Sequence, residues 1–95
     1  MERVNVMTDN EILVTAINTY GDKAQEMVAI EECAELIQAI SHKHRGREYN
    51  IAEEIADVEI MLEQLKIINH CHTEVEEIHK QKIQRLYQRV FDMCL

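Results

Sequence analysis

The chain has 95 residues, of which 46% are apolar and only 4% aromatic, and its formal net charge is −8. This length suits one domain over residues 1–95, with a small core that a partner subunit would help to complete. The negative balance argues against a nucleic-acid backbone or an anionic membrane as the main partner, and no apolar run approaches the ~20 residues of a membrane span.

The residue mixture favours helix. Pro is absent, the two glycines are Gly21 and Gly46, and Ile, Leu, Met, Glu, Lys and Gln dominate. Thr8-Asp9-Asn10-Glu11 reads as a capping box, and Ile12, Leu13, Ala16, Ile17 and Tyr20 follow it at helical spacing. Gly21 ends this first helix and Asp22 is placed to cap the second. The second helix is predicted from about Lys23 to about Lys43 and closes in the basic turn "HKHRGR". Cations there complement the helix dipole, which accounts for them without any binding role. Asn50-Ile51-Ala52-Glu53 repeats the cap pattern and opens a third helix with the stripe Ile51, Ile55, Val58, Leu62 and Leu65. Thr73-Glu74-Val75-Glu76 is predicted to open a fourth, with Val75, Ile78, Ile83, Leu86, Val90 and Phe91 as its apolar positions. No strand pattern competes, and short links between four helices imply an all-α, antiparallel four-helix bundle.

Cys33, Cys71 and Cys94 form no CxxC pair. An odd number so spaced implies neither a disulfide framework nor a zinc site, and a reducing cytoplasm is the natural compartment. The N-terminal residues lack the apolar stretch of a secretory leader.

The chemistry lies in two stretches, "EECAE" at 31–35 and "EEIAD" at 53–57. On the second helix Glu31, Glu32 and Glu35 fall within roughly a third of the circumference. Val28, Ala39 and His42 share that arc, while Ile30, Cys33, Ile37 and Ile40 lie opposite. The pattern predicts that the Ile face is buried and the acids are presented on the other side. On the third helix Glu54 falls between Val58 and Met61, inside the apolar sector, and Asp57 lies at its edge. Ala56, Ile60 and Ile67 make a second stripe, so this helix is expected at the bundle centre or in a subunit interface. Buried acids without cations repel one another. Two pairs at i, i+3 on facing helices would form an all-oxygen pocket suited to Mg²⁺ or Mn²⁺. Ordinary solvated glutamates on long helices would give the same spacing. Lys43, Arg45 and Arg47 lie in the link, and Lys82, Arg85 and Arg89 share one face of the fourth helix.

This arrangement resembles the MazG-like all-α nucleoside triphosphate pyrophosphohydrolases, whose signature is EExxE, a variable gap, then ExxD. Glu31-Glu32-Cys33-Ala34-Glu35 matches the first half and Glu54-Ile55-Ala56-Asp57 the second, with 18 residues between them. The resemblance covers about residues 20–90. It implies Mg²⁺-dependent hydrolysis of a nucleoside triphosphate to the monophosphate and pyrophosphate, with Mn²⁺ as a second possible metal. It implies Glu32, Glu35, Glu54 and Asp57 as metal ligands, and Glu31 as an extra ligand or, with Glu35, the group acting on the attacking water. Lys82 and Arg85 match the family's phosphate-contacting cations, Lys43 and Arg45 would add to them, and Gln25 and His42 are candidates for base or sugar. A homo-oligomer, dimer or tetramer, is expected. The chain departs from the family in its few aromatics, Tyr20, Tyr49, Tyr87 and Phe91, and it lacks the basic run that phosphoribosyl-ATP pyrophosphohydrolases carry before the first motif. Two other readings compete: a di-iron carboxylate bundle, for which only Glu76-Glu77-Ile78-His79 has the required form, and a non-catalytic helical oligomerisation module.

Overall fold

The computed structural model describes residues 6–92. Its four helices are α1 (Asp9–Tyr20), α2 (Asp22–His44), α3 (Ile51–Ile68) and α4 (His72–Asp92), with no strand among the described residues. The all-α, four-helix expectation therefore holds. Cys33 and Cys71 are free thiols, and Cys94 lies outside the described residues.

Local chemistry sets most of the boundaries. The Thr8 hydroxyl accepts from the Glu11 amide at 3.1 Å, and the Glu11 carboxylate accepts from the Thr8 amide at 2.9 Å, the reciprocal capping box. Gly21, at φ 95°, turns the chain from α1 directly into α2 in a conformation that side-chain-bearing residues rarely adopt. It is also the N-cap of α2, so Asp22 is the first helical residue rather than the cap; its charge still suits the positive helix end. Asn50 caps α3 by accepting from the Glu53 amide at 3.2 Å.

Helices α2 and α3 both end in Schellman turns. At the end of α2, Arg47 N–H reaches His42 O and Gly46 N–H reaches Lys43 O, with Gly46 at φ 72°. At the end of α3 the same two bonds run from Cys71 to Lys66 and from His70 to Ile67, and His70 takes the positive φ of 52°. That turn feeds straight into α4, whose first bond runs from Val75 N–H to Cys71 O. The helix is therefore under way before Thr73, which lies in its first turn and is not its cap. Because His70 occupies a left-handed position, His70→Gly is expected to stabilise the protein by about 0.5–1 kcal/mol. Urea denaturation should show the midpoint rising without a change in slope; a lowered midpoint would contradict this account.

Helices α1, α2 and α3 pack on one another, and α2 and α3 run antiparallel. Among the described residues the buried ones are Ile17, Ala29, Ala39, Val58 and Met61, together with Gln25 and Gln64, and no large side chain is completely buried. Here the structure corrects the orientation predicted for α2. The face carrying Gln25, Ala29, Glu32 and Ala39 turns toward α3, while Ile30 and Ile37 remain 62% and 68% exposed. Small residues at 29 and 39 allow close helix approach, and the Gln25 amide meets Gln64 there at 2.7 Å. On α3 the inward side is Val58, Met61 and Gln64, with Glu54 and Asp57 half-buried beside them; Ile55, Ile60 and Leu62 face outward.

Helix α4 stands apart. Among the described helices it packs against α3 alone, and it contributes no buried residue. The molecule extends 61 × 37 × 34 Å with a radius of gyration of 17.7 Å, against about 12 Å for a compact chain of this length.

Candidate functional site

The antiparallel register of α2 and α3 brings the two acidic pairs together. Gln25 lies opposite Gln64. Two turns along α2 is Glu32, and two turns back along α3 is Asp57; one further turn sets Glu35 against Glu54. The i, i+3 spacing keeps both members of each pair on the facing side. Each of Glu32, Glu35, Glu54 and Asp57 offers a carboxylate oxygen, and these atoms lie within 4.8 Å of one another.

The surroundings give these acids no relief. Glu32, Glu54 and Asp57 are half-buried, and only Glu35 is exposed. Glu32 Oε2 and Glu54 Oε2 are buried with no hydrogen-bond partner among the described residues. The ion pairs among the described residues, Lys66 with Glu63 at 2.7 Å and Lys80 with Glu76 at 4.0 Å, involve none of the four. Burial first, then the charges of Glu35 and Asp57, raise the carboxyl groups of Glu32 and Glu54 above the ordinary range. Orphaned oxygens aimed into a convergent, cation-free set of hard donors are what a divalent metal would satisfy. Four carboxylates on two rigid helices fit Mg²⁺ or Mn²⁺ by donor chemistry.

The raised values carry a consequence for stability. A carboxyl group that holds its proton more tightly in the native state makes the native protein bind more protons than the unfolded one above the reference value of 4.5. Stability is then full below that value and falls as pH rises through the native titration. In EDTA, the melting temperature should decline from pH 5 to pH 7, and Asp57→Asn should flatten the decline. Metal binds the deprotonated set, so its affinity rises with pH. A melting temperature that rises over this interval in EDTA would contradict the assignment.

The other sequence candidates are placed unequally. Glu31 is exposed and stands outside the cluster. Gln25 is buried against Gln64, two turns from Glu32, where it satisfies a core hydrogen bond. His42 is half-buried and lines a depression of about 360 Å³ beside Glu35 and Glu54. Arg45 lines an adjoining depression of about 540 Å³ that also touches Glu35. Lys43 is exposed and lines neither. Lys82 and Arg85 are exposed on α4 and line neither. A wider depression of about 730 Å³ between α1 and α3, around Ile60 and Ile67, touches none of the four acids. Glu76 and His79, the two ends of the one Glu-x-x-His stretch, lie exposed on α4.

Two lining residues were not singled out by their spacing, Gln38 and Tyr49. Gln38 carried a usable signal, since it follows Glu35 by one helical turn on the same side. Tyr49 directly precedes the cap of α3, in the link, where no periodicity operates. No protein-family model, curated protein or solved structure matches the chain.

Proposed function

We propose that the protein is a Mg²⁺-dependent nucleoside triphosphate pyrophosphohydrolase that cleaves a (deoxy)nucleoside triphosphate to the monophosphate and pyrophosphate. The observation that carries this reading is the convergence of Glu32, Glu35, Glu54 and Asp57 around two orphaned carboxylate oxygens. Those four residues would hold the metal. When bound, a divalent cation supplies charge neutralisation for the triphosphate and makes water more acidic.

The chain's own groups do the positioning on which phosphoryl transfer depends. Glu35, the exposed member, borders both depressions and can orient the water that attacks the α-phosphorus. Glu31 is the alternative for that task, one turn away. Attack breaks the bond to the bridging oxygen, pyrophosphate leaves, and one proton passes to the carboxylate or to solvent. Arg45, with Lys43 near it in sequence, supplies positive charge in a chain otherwise strongly acidic. His42 borders the space open to sugar or base.

The assignment extends to a cytoplasmic homo-oligomer acting on small molecules. No helix among the described residues is long and apolar enough to cross a membrane. Exposure of Ile78, Ile83 and Leu86 along α4 favours a second reading, a helical oligomerisation module without catalysis. That reading leaves Glu32 and Glu54 on an inward helix face without a purpose. Incubation with each dNTP and Mg²⁺, followed by ion-exchange separation of products, distinguishes the two. Monophosphate and pyrophosphate are expected in equal amounts; orthophosphate alone, or no turnover, would refute the enzyme.

A further inference from the structure

We propose that the two depressions divide the substrate at Glu35: the one walled by Tyr49 takes the nucleoside, and the one walled by Arg45 and Arg47 takes the terminal phosphates. This inference rests on the pyrophosphohydrolase reading and says how the substrate lies across the site. Of the four clustered acids, Glu35 alone borders both spaces. Gln38 and His42 line both as well and so form their common wall. Glu35 thus stands where the two sides of a bond broken at the carboxylates can part into separate spaces.

The two sides of such a substrate differ in kind, and the two walls differ in the same way. A nucleoside is an uncharged, flat, aromatic group with a polar edge. Tyr49 offers a half-exposed ring in a chain that has few aromatics. Its backbone adjoins Asn50, whose amide both donates to and accepts from Glu53 in capping α3. The Gln38 amide, by contrast, has no hydrogen-bond partner among the described residues, so its donor and its acceptor are both available to a base or sugar edge. The volume of about 360 Å³ lies at the small end of ligand sites, roughly 300–1,000 Å³, and suits a single nucleoside.

The other wall suits pyrophosphate. Arg45 and Arg47 have their backbones fixed by the Schellman turn that ends α2, through bonds to Ser41 and His42. Neither guanidinium is in an ion pair among the described residues. Arginine presents a planar donor fork that matches phosphate oxygens two at a time. A fixed backbone with unengaged guanidinium groups, beside a cluster of carboxylates, is poised for an anion that arrives with its own counter-charge.

Each end has its own probe, so binding can be read without turnover. Calorimetry with a deoxynucleoside monophosphate and with inorganic tripolyphosphate, both in Mg²⁺, is run on the wild type, Tyr49→Ala, Tyr49→Phe and Arg45→Ala/Arg47→Ala. Tyr49→Ala is expected to weaken the monophosphate about 10-fold, the scale of one base stacked on one ring, and to leave tripolyphosphate unchanged. Tyr49→Phe should bind the monophosphate as the wild type does. The double arginine variant should lose tripolyphosphate by at least about 10-fold and change the monophosphate little. Gln38→Ala should alter the order of preference among the four dNMPs. Equal weakening of both probes in Tyr49→Ala, no weakening of the monophosphate, or a wild type that binds neither probe would overturn the division. Wild-type turnover of dNTPs is measured alongside; its absence refutes the enzymatic reading, whereas turnover with undivided binding refutes this inference alone.

Discussion

Alanine at Glu35 or at Asp57 should abolish triphosphate hydrolysis and leave the far-ultraviolet circular dichroism of the helices unchanged. Glu35 is exposed and Asp57 half-buried, and neither is in an ion pair among the described residues. Their contribution is negative charge at one point, within 4.8 Å of Glu32 and Glu54. A metal ion is asked to supply several kcal/mol of transition-state charge stabilisation, so losing it costs on the order of 1,000-fold in rate. The same variants should lose calorimetric Mg²⁺ binding. Metal-free, they should melt no lower than the wild type, and removing a repelling neighbour favours a higher value. In the wild type, Mg²⁺ at a hundredfold excess over Kd should raise Tm by roughly 10 °C; in the variants that rise should vanish. Glu31→Ala separates the roles of neighbouring acids. Because Glu31 stands outside the cluster, its variant should keep metal binding even if turnover falls. Near-wild-type turnover in Glu35→Ala or Asp57→Ala would end the metal assignment.

How much of this was legible in the sequence depends on the kind of signal. Thr8 and Asn50 mark helix starts through side-chain bonds to residues three positions on, so those caps could be read from the chain alone. The four converging carboxylates were legible for the same reason, since i, i+3 spacing fixes which side of a helix a residue occupies. The direction in which that side faces was not legible. The apolar content of Ile30 and Ile37 argued for burial, yet the helix turned its small residues, Ala29 and Ala39, and its acids inward. Hydrophobicity measures what a residue gains from burial, whereas close helix packing depends on what fits between two backbones. Gln25 shows a further difficulty: a polar side chain near an acidic motif can satisfy the core instead, and its partner Gln64 lies 39 positions away in sequence. The depressions beside Glu35 depend on how the link folds between α2 and α3, and no helical period describes a link.

Leu86→Glu on α4 should dissociate the protein, which is expected to be at least a dimer in solution. The surface carries the reason. The chain exposes 8003 Å² for a mass of 11.2 kDa, whereas a compact monomer of that mass exposes about 5,700 Å². The difference is larger than one partner's share of a standard interface, about 800 Å². Large apolar side chains are exposed on α4, at Ile78, Ile83, Leu86 and Phe91, and on α2, at Ile30 and Ile37. Leu86 is already 47% exposed in the single chain, so a charge there should alter the folded monomer by no more than about 0.5 kcal/mol. A large effect would then report the assembly. Light scattering should show the wild type as a dimer or tetramer and Leu86→Glu as a monomer with a lower melting temperature; a monomeric wild type at micromolar concentration would refute the expectation. Assembly also bears on the cations of α4. In one chain Lys82 and Arg85 line neither depression beside the acids, so they can reach phosphate only if α4 of one copy lies across another. Lys80→Ala is the fitting control, because Lys80 shares the helix and is well exposed, whereas Lys66 is held by Glu63 at 2.7 Å. If α4 crosses in that way, Lys82→Ala and Arg85→Ala should lower kcat/KM by about 10-fold or more, Lys80→Ala should not, and Leu86→Glu should lower it as far as the two cation variants do, because the monomer loses both cations at once. Wild-type kcat/KM in the Leu86→Glu monomer would mean that each chain holds a complete site and that α4 serves assembly alone.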